Sequence, residues 1–286
     1  MTRKPVSNVA ASVRQRLMNH AKATKRDFAF VLTRYAIERL LYRISLTPAA
    51  NTLVLKGAAL LYVWTGEEAR PTRDADFLRI GSIEEDELRK IFRAACQVNV
   101  PGDGVVFQPD DIRVETIREH QEYGGMRIMI PGKLEHADAT VYVDIAAGDV
   151  ITPASIEIEY PTLLEMERPR LKAYPVETVI AEKLEAMVKL GIANSRMKDF
   201  HDVWTLVNLE HLKIIILRKA VHATFGRRQT EIPAALPLAL TARFYDDHQK
   251  QAQWHAFVKR LPAHHDAPSL DKVVGTIAGL WQKLRL

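Results

Sequence analysis

The sequence predicts an α+β protein: a mixed or antiparallel sheet flanked by helices, followed by a helical C-terminal domain. Three observations point that way. Apolar residues recur at spacings of three and four at both ends of the chain, as in amphipathic helices. The middle holds short β-prone runs separated by glycine and proline turns, without the repeated strand–helix–strand spacing of a parallel α/β sheet. Charge is also unevenly spread. Residues 1–50 hold 10 Lys/Arg against 2 Asp/Glu, residues 51–210 hold 18 against 28, and residues 211–286 hold 12 against 5. A net charge of +5 therefore conceals basic ends around an acidic middle.

The elements follow in order. Residues 8–45 read as helix through Leu17, Phe28, Val31, Leu32, Tyr35, Leu40, Leu41 and Ile44, with a break expected near Ala23-Thr24 and a stop at Pro48. Thr52–Leu55 is a short apolar strand running into Lys56-Gly57, and residues 58–64 are helical in composition. Asp76–Ile80 reads as a second strand and Glu84–Ala95 as an amphipathic helix. Ile112–Ile117, Met126–Ile130 and Thr140–Ile145 read as strands, with Gly124-Gly125 and Pro131-Gly132 as turns. Thr178–Leu190 reads as a helix closed by Gly191, and Asn194-Ser195 can cap the next, through Leu209. Helices are expected over 212–224, 236–247, 249–260 and 269–284. The chain thus divides into a helical segment over 1–50, a sheet-bearing domain over 51–175 and a helical domain over 176–286.

Composition excludes several classes. With 47% apolar and 26% charged residues, the chain reads as a soluble globular protein of about two domains. A single cysteine, Cys96, excludes an internal disulfide framework and a cysteine-rich zinc site, and fits a reducing cytoplasm. The basic start Met1–Pro5 is not followed by an apolar segment, so no secretory signal is expected. There is no apolar run of the roughly 18 residues a membrane span needs. His264-His265-Asp266 lacks a partner at ligand spacing and reads as a loop, Arg227-Arg228 as a solvated pair, and Trp254 and Trp281 as core.

Chemistry concentrates in the middle. Leu55-Lys56-Gly57-Ala58-Ala59-Leu60 turns a strand into a helix at a glycine, a junction whose backbone N–H groups suit a phosphate. Seventeen residues after Gly57 comes Arg73-Asp74-Ala75-Asp76-Phe77, where strand alternation puts Asp74 and Asp76 on one face. Two neighbouring carboxylates repel unless a cation lies between them, and Mg²⁺ prefers such oxygen ligands. Asp144 stands in the β-prone run Thr140–Ile145, where a lone carboxylate needs a partner. If its strand lies beside that of Asp74 and Asp76, three carboxylates converge and can hold divalent ions for attack on a nucleotide α-phosphate. Asp149, after Gly148, is an alternative third acid.

Gly57, then Asp74-x-Asp76 after a helix, then Asp144 on a later strand resembles the nucleotidyltransferase superfamily of DNA polymerase β. The longer string is more specific. Leu55–Leu60, Arg70–Phe77, Ala181-Glu182-Lys183-Leu184-Glu185-Ala186-Met187 and Asn194-Ser195-Arg196-Met197-Lys198-Asp199-Phe200-His201-Asp202 resemble the AbiEii/AbiGii nucleotidyltransferase toxins over residues 8–210. The family carries Gly or Ser after the turn glycine, where this chain has Ala58.

The resemblance implies an α+β nucleotidyltransferase domain with a helical C-terminal domain, and an enzyme that moves a nucleoside monophosphate from an NTP with Mg²⁺ or Mn²⁺. It implies metal ligation by Asp74, Asp76 and Asp144, and active-site roles for Lys183 and Asp199. Lys56, Gly57, Ala58, Arg73, Lys183, Arg196 and Lys198 would contact the nucleotide. It further implies a toxin of a toxin–antitoxin or phage-defence system, a cognate antitoxin, and the 3′ end of tRNA as acceptor, which the basic ends could hold. Transfer to a protein hydroxyl or an antibiotic, and a non-catalytic RNA- or antitoxin-binding module, stay open at this point.

Overall fold

The computed structural model describes residues 8–66, 70–117, 125–209, 212–261 and 267–286. Met1–Pro5, Gly124, Pro262 and the His264-His265-Asp266 loop lie outside the described residues. The chain forms two compact units, one of Met1–Gly148 with Glu157–Ala173, the other of Asp149–Ile156 with Tyr174–Leu286.

Unit 1 opens with helices α1 (Val9–Ala23) and α2 (Phe28–Ser45). The break between them follows from local chemistry. Lys25 adopts a positive φ of 52°, and the Asp27 carboxylate caps α2 by accepting the Ala29 and Phe30 N–H groups. Strand β1 (Leu53–Lys56), the short helix α3 (Leu61–Thr65), β2 (Asp74–Arg79) and α4 (Glu85–Cys96) follow. Then come β3 (Val105–Phe107), β4 (Arg113–Ile117), β5 (Gly125–Ile130), β6 (Gly132–Leu134), β7 (Ala137–Asp138), β8 (Val141–Ala147), β9 (Ile156–Glu159) and β10 (Arg170–Ala173).

A seven-stranded sheet runs in the order β4-β5-β8-β2-β1-β10-β9, and β3-β6-β7 form a small second sheet. The large sheet is mixed: β8 runs parallel to β2, and β10 parallel to β1, while β4, β5 and β8 form an antiparallel meander. One face gathers Leu55, Ala75, Phe77, Val143, Ile145 and Ile128, all buried. The charged residues of the sheet centre lie on the other face. Helix α2 packs on β8, β10 and α4. Its last turn buries the Arg43–Asp103 pair (2.6 Å), which ties the loop before β3 to the helix. Cys96 is buried, and burial pushes its thiol up to about 12.

Unit 2 is helical: α5 (Val176–Leu190), α6 (Met197–Val207), α7 (Ile214–Arg227), α8 (Ala242–Tyr245), α9 (His248–Val258) and α10 (Leu270–Leu284). Gly191 closes α5 with φ 49°, as its position suggests. Trp254 and Trp281 are both buried.

Three local expectations change. Helix α6 starts at Met197, because the Asn194 side chain accepts the Arg196 N–H and forms a turn before the helix. The expected helix over 236–247 splits into a 3₁₀ turn (Leu238–Leu240) and α8, because Thr241 is extended (φ −113°, ψ 166°). Residues 132–134 form β6 after Pro131 rather than a simple turn. Among the described residues no helix is long and apolar enough to cross a membrane.

Candidate active site

Strand β1 ends at Lys56, and the chain turns at Gly57 with φ 70°. Only glycine takes that conformation without strain. Residues Gly57–Leu60 make a 3₁₀ turn before the five residues of α3, so the expected helix is tighter and shorter than its composition suggests. Ala58, Ala59 and Leu60 are buried and anchor the turn in the core. The turn's other constraint is Asp76: a Cβ on Gly57 would stand 2.7 Å from Asp76 Cγ and closer still to Oδ2. Glycine is thus required twice, for its dihedral and for the carboxylate beside it.

Asp76 and Asp74 project from one face of β2, while Ala75 and Phe77 between and after them are fully buried on the other. The Thr72 hydroxyl donates to Asp74 Oδ1 at 2.8 Å. Parallel pairing places Asp144 of β8 directly beside Asp76, and Tyr142 beside Asp74. Antiparallel pairing places Lys56 on the other side of Asp76. Strand β5 then sets Arg127 beside Asp144. The guanidinium holds both carboxylate oxygens, Nε to Oδ1 and Nη2 to Oδ2, each at 2.7 Å. Arg73 is exposed just ahead of β2.

This donor set has the chemistry for a divalent cation: hard carboxylate oxygens, two on one strand face and one on the next strand. Asp144 is engaged by Arg127 through both of its oxygens. Among the described residues no group of three His, Cys, Asp or Glu side chains is arranged to hold a metal ion.

Unit 2 carries the second half of the motif. On α5, the Lys183 ammonium lies between Asp199 Oδ1 (2.6 Å) and Asp202 Oδ2 (2.8 Å) of α6. Arg196 Nε meets Asp199 Oδ2 at 2.6 Å. Both carboxylates are almost fully buried, so each needs a partner. Burial alone would raise the Asp199 carboxyl, but the Lys183 ammonium and Arg196 guanidinium outweigh it and hold it below the usual carboxylate range. Lys198 is exposed and no contact of its side chain joins this cluster.

Asp149, the alternative third acid, belongs to a different group. Arg228, just beyond α7, reaches Asp149 (3.1 Å), Glu182 (3.1 Å) and Glu185 (2.9 Å). Thr230 donates to Glu185 Oε1 at 2.6 Å. Arg228 is therefore no solvated residue, as its place in an Arg-Arg pair suggests. Burial would lower its guanidinium, yet Glu182, Asp149 and Glu185 hold it above its ordinary value.

Arg127 and Thr72 escape a motif-based reading. Arg127 does leave a signal in the sequence: it is a single charge inside the apolar strand Met126–Ile130, the same signature that marks Asp144. Thr72 leaves none, because a threonine before a strand is ordinary.

A family model described as nucleotidyl transferase AbiEii toxin, type IV TA system, matches residues 39–276. No curated protein matches the chain. Among solved structures, JHP933 from Helicobacter pylori is 19% identical, with 94% of this chain and 92% of that chain covered and a TM-score of 0.52. A second H. pylori structure, provisionally described as a nucleotidyltransferase, is also 19% identical at TM-score 0.52, covering 94% of this chain and 95% of that chain. At such identity the two structures show a shared fold.

Proposed function

The chain belongs to the AbiEii nucleotidyltransferase toxin family of type IV toxin–antitoxin systems, and from that premise we propose that it moves a nucleoside monophosphate from an NTP onto the 3′ end of tRNA. Membership makes it a nucleotidyltransferase toxin with a nucleotide substrate and an antitoxin partner. The acceptor and the Mg²⁺ requirement belong to the proposal.

The observation that carries the transferase reading is the Gly57–Asp76 junction. A turn with no room for a side chain at Gly57 lies against a strand whose face carries Asp74 and Asp76. Asp74 and Asp76 would hold Mg²⁺, with Asp144 joining from β8. When bound, the cation neutralises phosphate charge and acidifies the attacking hydroxyl. The Gly57–Ala58 amides and Lys56 would orient the phosphates, and Arg73 would meet them from the rim of β2. For Lys183, Arg196 and Lys198 of unit 2 a nucleotide-contacting role would rest on the family resemblance alone; Asp199 sets the position of the first two. Exposed Arg16, Lys22 and Lys25 support an RNA acceptor, as a polyanion is drawn to clustered cations. The reducing cytoplasm, where tRNA is found, suits a chain with one buried thiol.

The test incubates pure protein with Mg²⁺, each labelled NTP in turn, and total tRNA. Label in tRNA, lost in Asp76→Ala, is the expected result. Label migrating with protein or with a small solute would move the acceptor to one of those classes. Absence of label in any product, together with no Mg²⁺-dependent NTP binding, would leave a binding module.

A further inference from the structure

We propose that Arg127 is a nucleotide-binding residue that Asp144 holds in reserve: it competes with a divalent cation for Asp144, and turns to the triphosphate when the cation takes that carboxylate. This rests on the reading of Asp74, Asp76 and Asp144 as cation ligands.

The sheet register carries the argument. Across four neighbouring strand pairs, Glu115, Arg127, Asp144, Asp76 and Lys56 stand side by side on one face, so that the adjacent carboxylates Asp144 and Asp76 are flanked by a cation on either side. In that row Arg127 is the cation nearest the third carboxylate. Its planar fork takes both Asp144 oxygens at 2.7 Å, the geometry a guanidinium also uses on a phosphate. The carboxylate here occupies the place of an anionic ligand.

The pair is built to exchange. The Arg127 side chain is 46% exposed and Asp144 21%, so water reaches the pair and can take over its contacts as it opens. A buried pair such as Arg43–Asp103, at 4% and 1% exposure, would not open on demand. Strand β5 is two strand spacings from β2, about 10 Å. An extended arginine and a triphosphate lying at Asp76 and the Gly57 turn can span that gap between them. A divalent cation on Asp144 repels the guanidinium, and the polyphosphate then offers it the densest negative charge on that face.

Two cations competing for one carboxylate have a distinctive consequence. Arg127 should weaken divalent-cation binding in the absence of nucleotide and strengthen nucleotide binding in its presence. A purely structural residue would not move these two affinities in opposite directions.

The experiment titrates the full-length chain with Mn²⁺ by electron paramagnetic resonance. In parallel, an α,β-methylene NTP, which cannot be transferred, is titrated with saturating Mg²⁺. Arg127→Gln should bind Mn²⁺ about tenfold more tightly and the analogue about tenfold more weakly, each step worth one decade of affinity. Arg127→Lys keeps the charge without the fork and should recover only part of the nucleotide affinity. If Arg127→Gln moves neither affinity, or both the same way, while Asp76→Asn and Asp144→Asn weaken Mn²⁺ binding, the role of Arg127 is overturned and the cation site stands. If Asp76→Asn and Asp144→Asn leave Mn²⁺ binding unchanged, the cation site itself falls and this inference with it.

Discussion

Gly57, at the turn that follows β1, lies so close to Asp76 of the adjoining strand β2 that a single methyl group on the glycine would overlap the carboxylate. The φ of 70° at Gly57 adds a second reason for the missing side chain, since an L-residue there costs about 1–2 kcal/mol. The turn and the acid therefore form one unit, and a change in either displaces the other. Gly57→Ala is expected to keep the fold, push the Asp76 side chain from its position, and lower nucleotidyl transfer by about 100-fold or more. Steady-state kinetics beside circular dichroism checks this; near-normal turnover in a folded variant would show that Asp76 need not sit against the turn.

Unit 2 should depend on Lys183 for stability as well as for chemistry. The ammonium is 13% exposed, whereas Asp199 and Asp202 are 1% and 0% exposed. Lys183→Met takes the shared ammonium from two buried carboxylates, and Arg196 still meets only the Asp199 side of the pair. A loss of about 3–5 kcal/mol is expected, the usual cost of breaking a buried pair from one side. Asp202→Asn, which keeps a hydrogen-bonding oxygen, should cost less. Denaturant midpoints at neutral pH measure the difference.

The same cluster has a pH signature. The Asp199 carboxyl titrates below its unfolded value, so the unfolded chain binds that proton more readily than the folded one. Its stabilisation is complete above the unfolded carboxylate range and is lost as pH falls through the lower, folded value. The expected acid-side slope of stability is therefore shallower in Asp199→Asn than in the parent chain. Parallel slopes below pH 4 would assign acid unfolding to other carboxylates.

Arg228 holds three acids with one guanidinium, and the consequence of removing it is specific. Glu185 is only 3% exposed and Thr230 cannot neutralise it. Arg228→Ala should cost about 3 kcal/mol or more through that unpaired charge. Arg228→Lys should restore a minor part, because an ammonium cannot fork between Asp149 and Glu185. Thermal unfolding of both variants distinguishes charge from geometry.

RNA binding, where present, should follow the exposed cations of α1. Reversing Arg16 and Lys22 to Glu removes two phosphate partners from that surface. The salt dependence of tRNA binding should become shallower by about two counterions, while NTP binding alone is unaffected. An unchanged slope in filter binding across salt would place the RNA elsewhere.

Much of the local structure was legible because it obeys short periods. The break between α1 and α2, the glycine end of α5 and the strands bearing Asp76 and Asp144 are set by neighbours two to four residues apart. Short strands were not: β3, β6, β7 and β10 span two to four residues and take their conformation from a partner strand. Strand β9 is a different case, since Ile156-Glu157-Ile158-Glu159 alternates plainly and lacks only the partner that would make the alternation decisive.

The candidate site divides along the same line. Period two alone determined that Asp74 and Asp76 share a face, and glycine's dihedral freedom alone marked the turn at Gly57. Tertiary structure decided which strands are neighbours. By laying β8 parallel to β2 it set Asp144 beside Asp76, and by laying β5 along β8 it gave Asp144 an arginine. It also sent Asp149 to Arg228 rather than toward the other acids. The physical reason is that backbone periodicity is a property of adjacent residues. Strand order depends on which apolar faces bury each other across long stretches of chain, so charges far apart in sequence become partners only when the sheet closes.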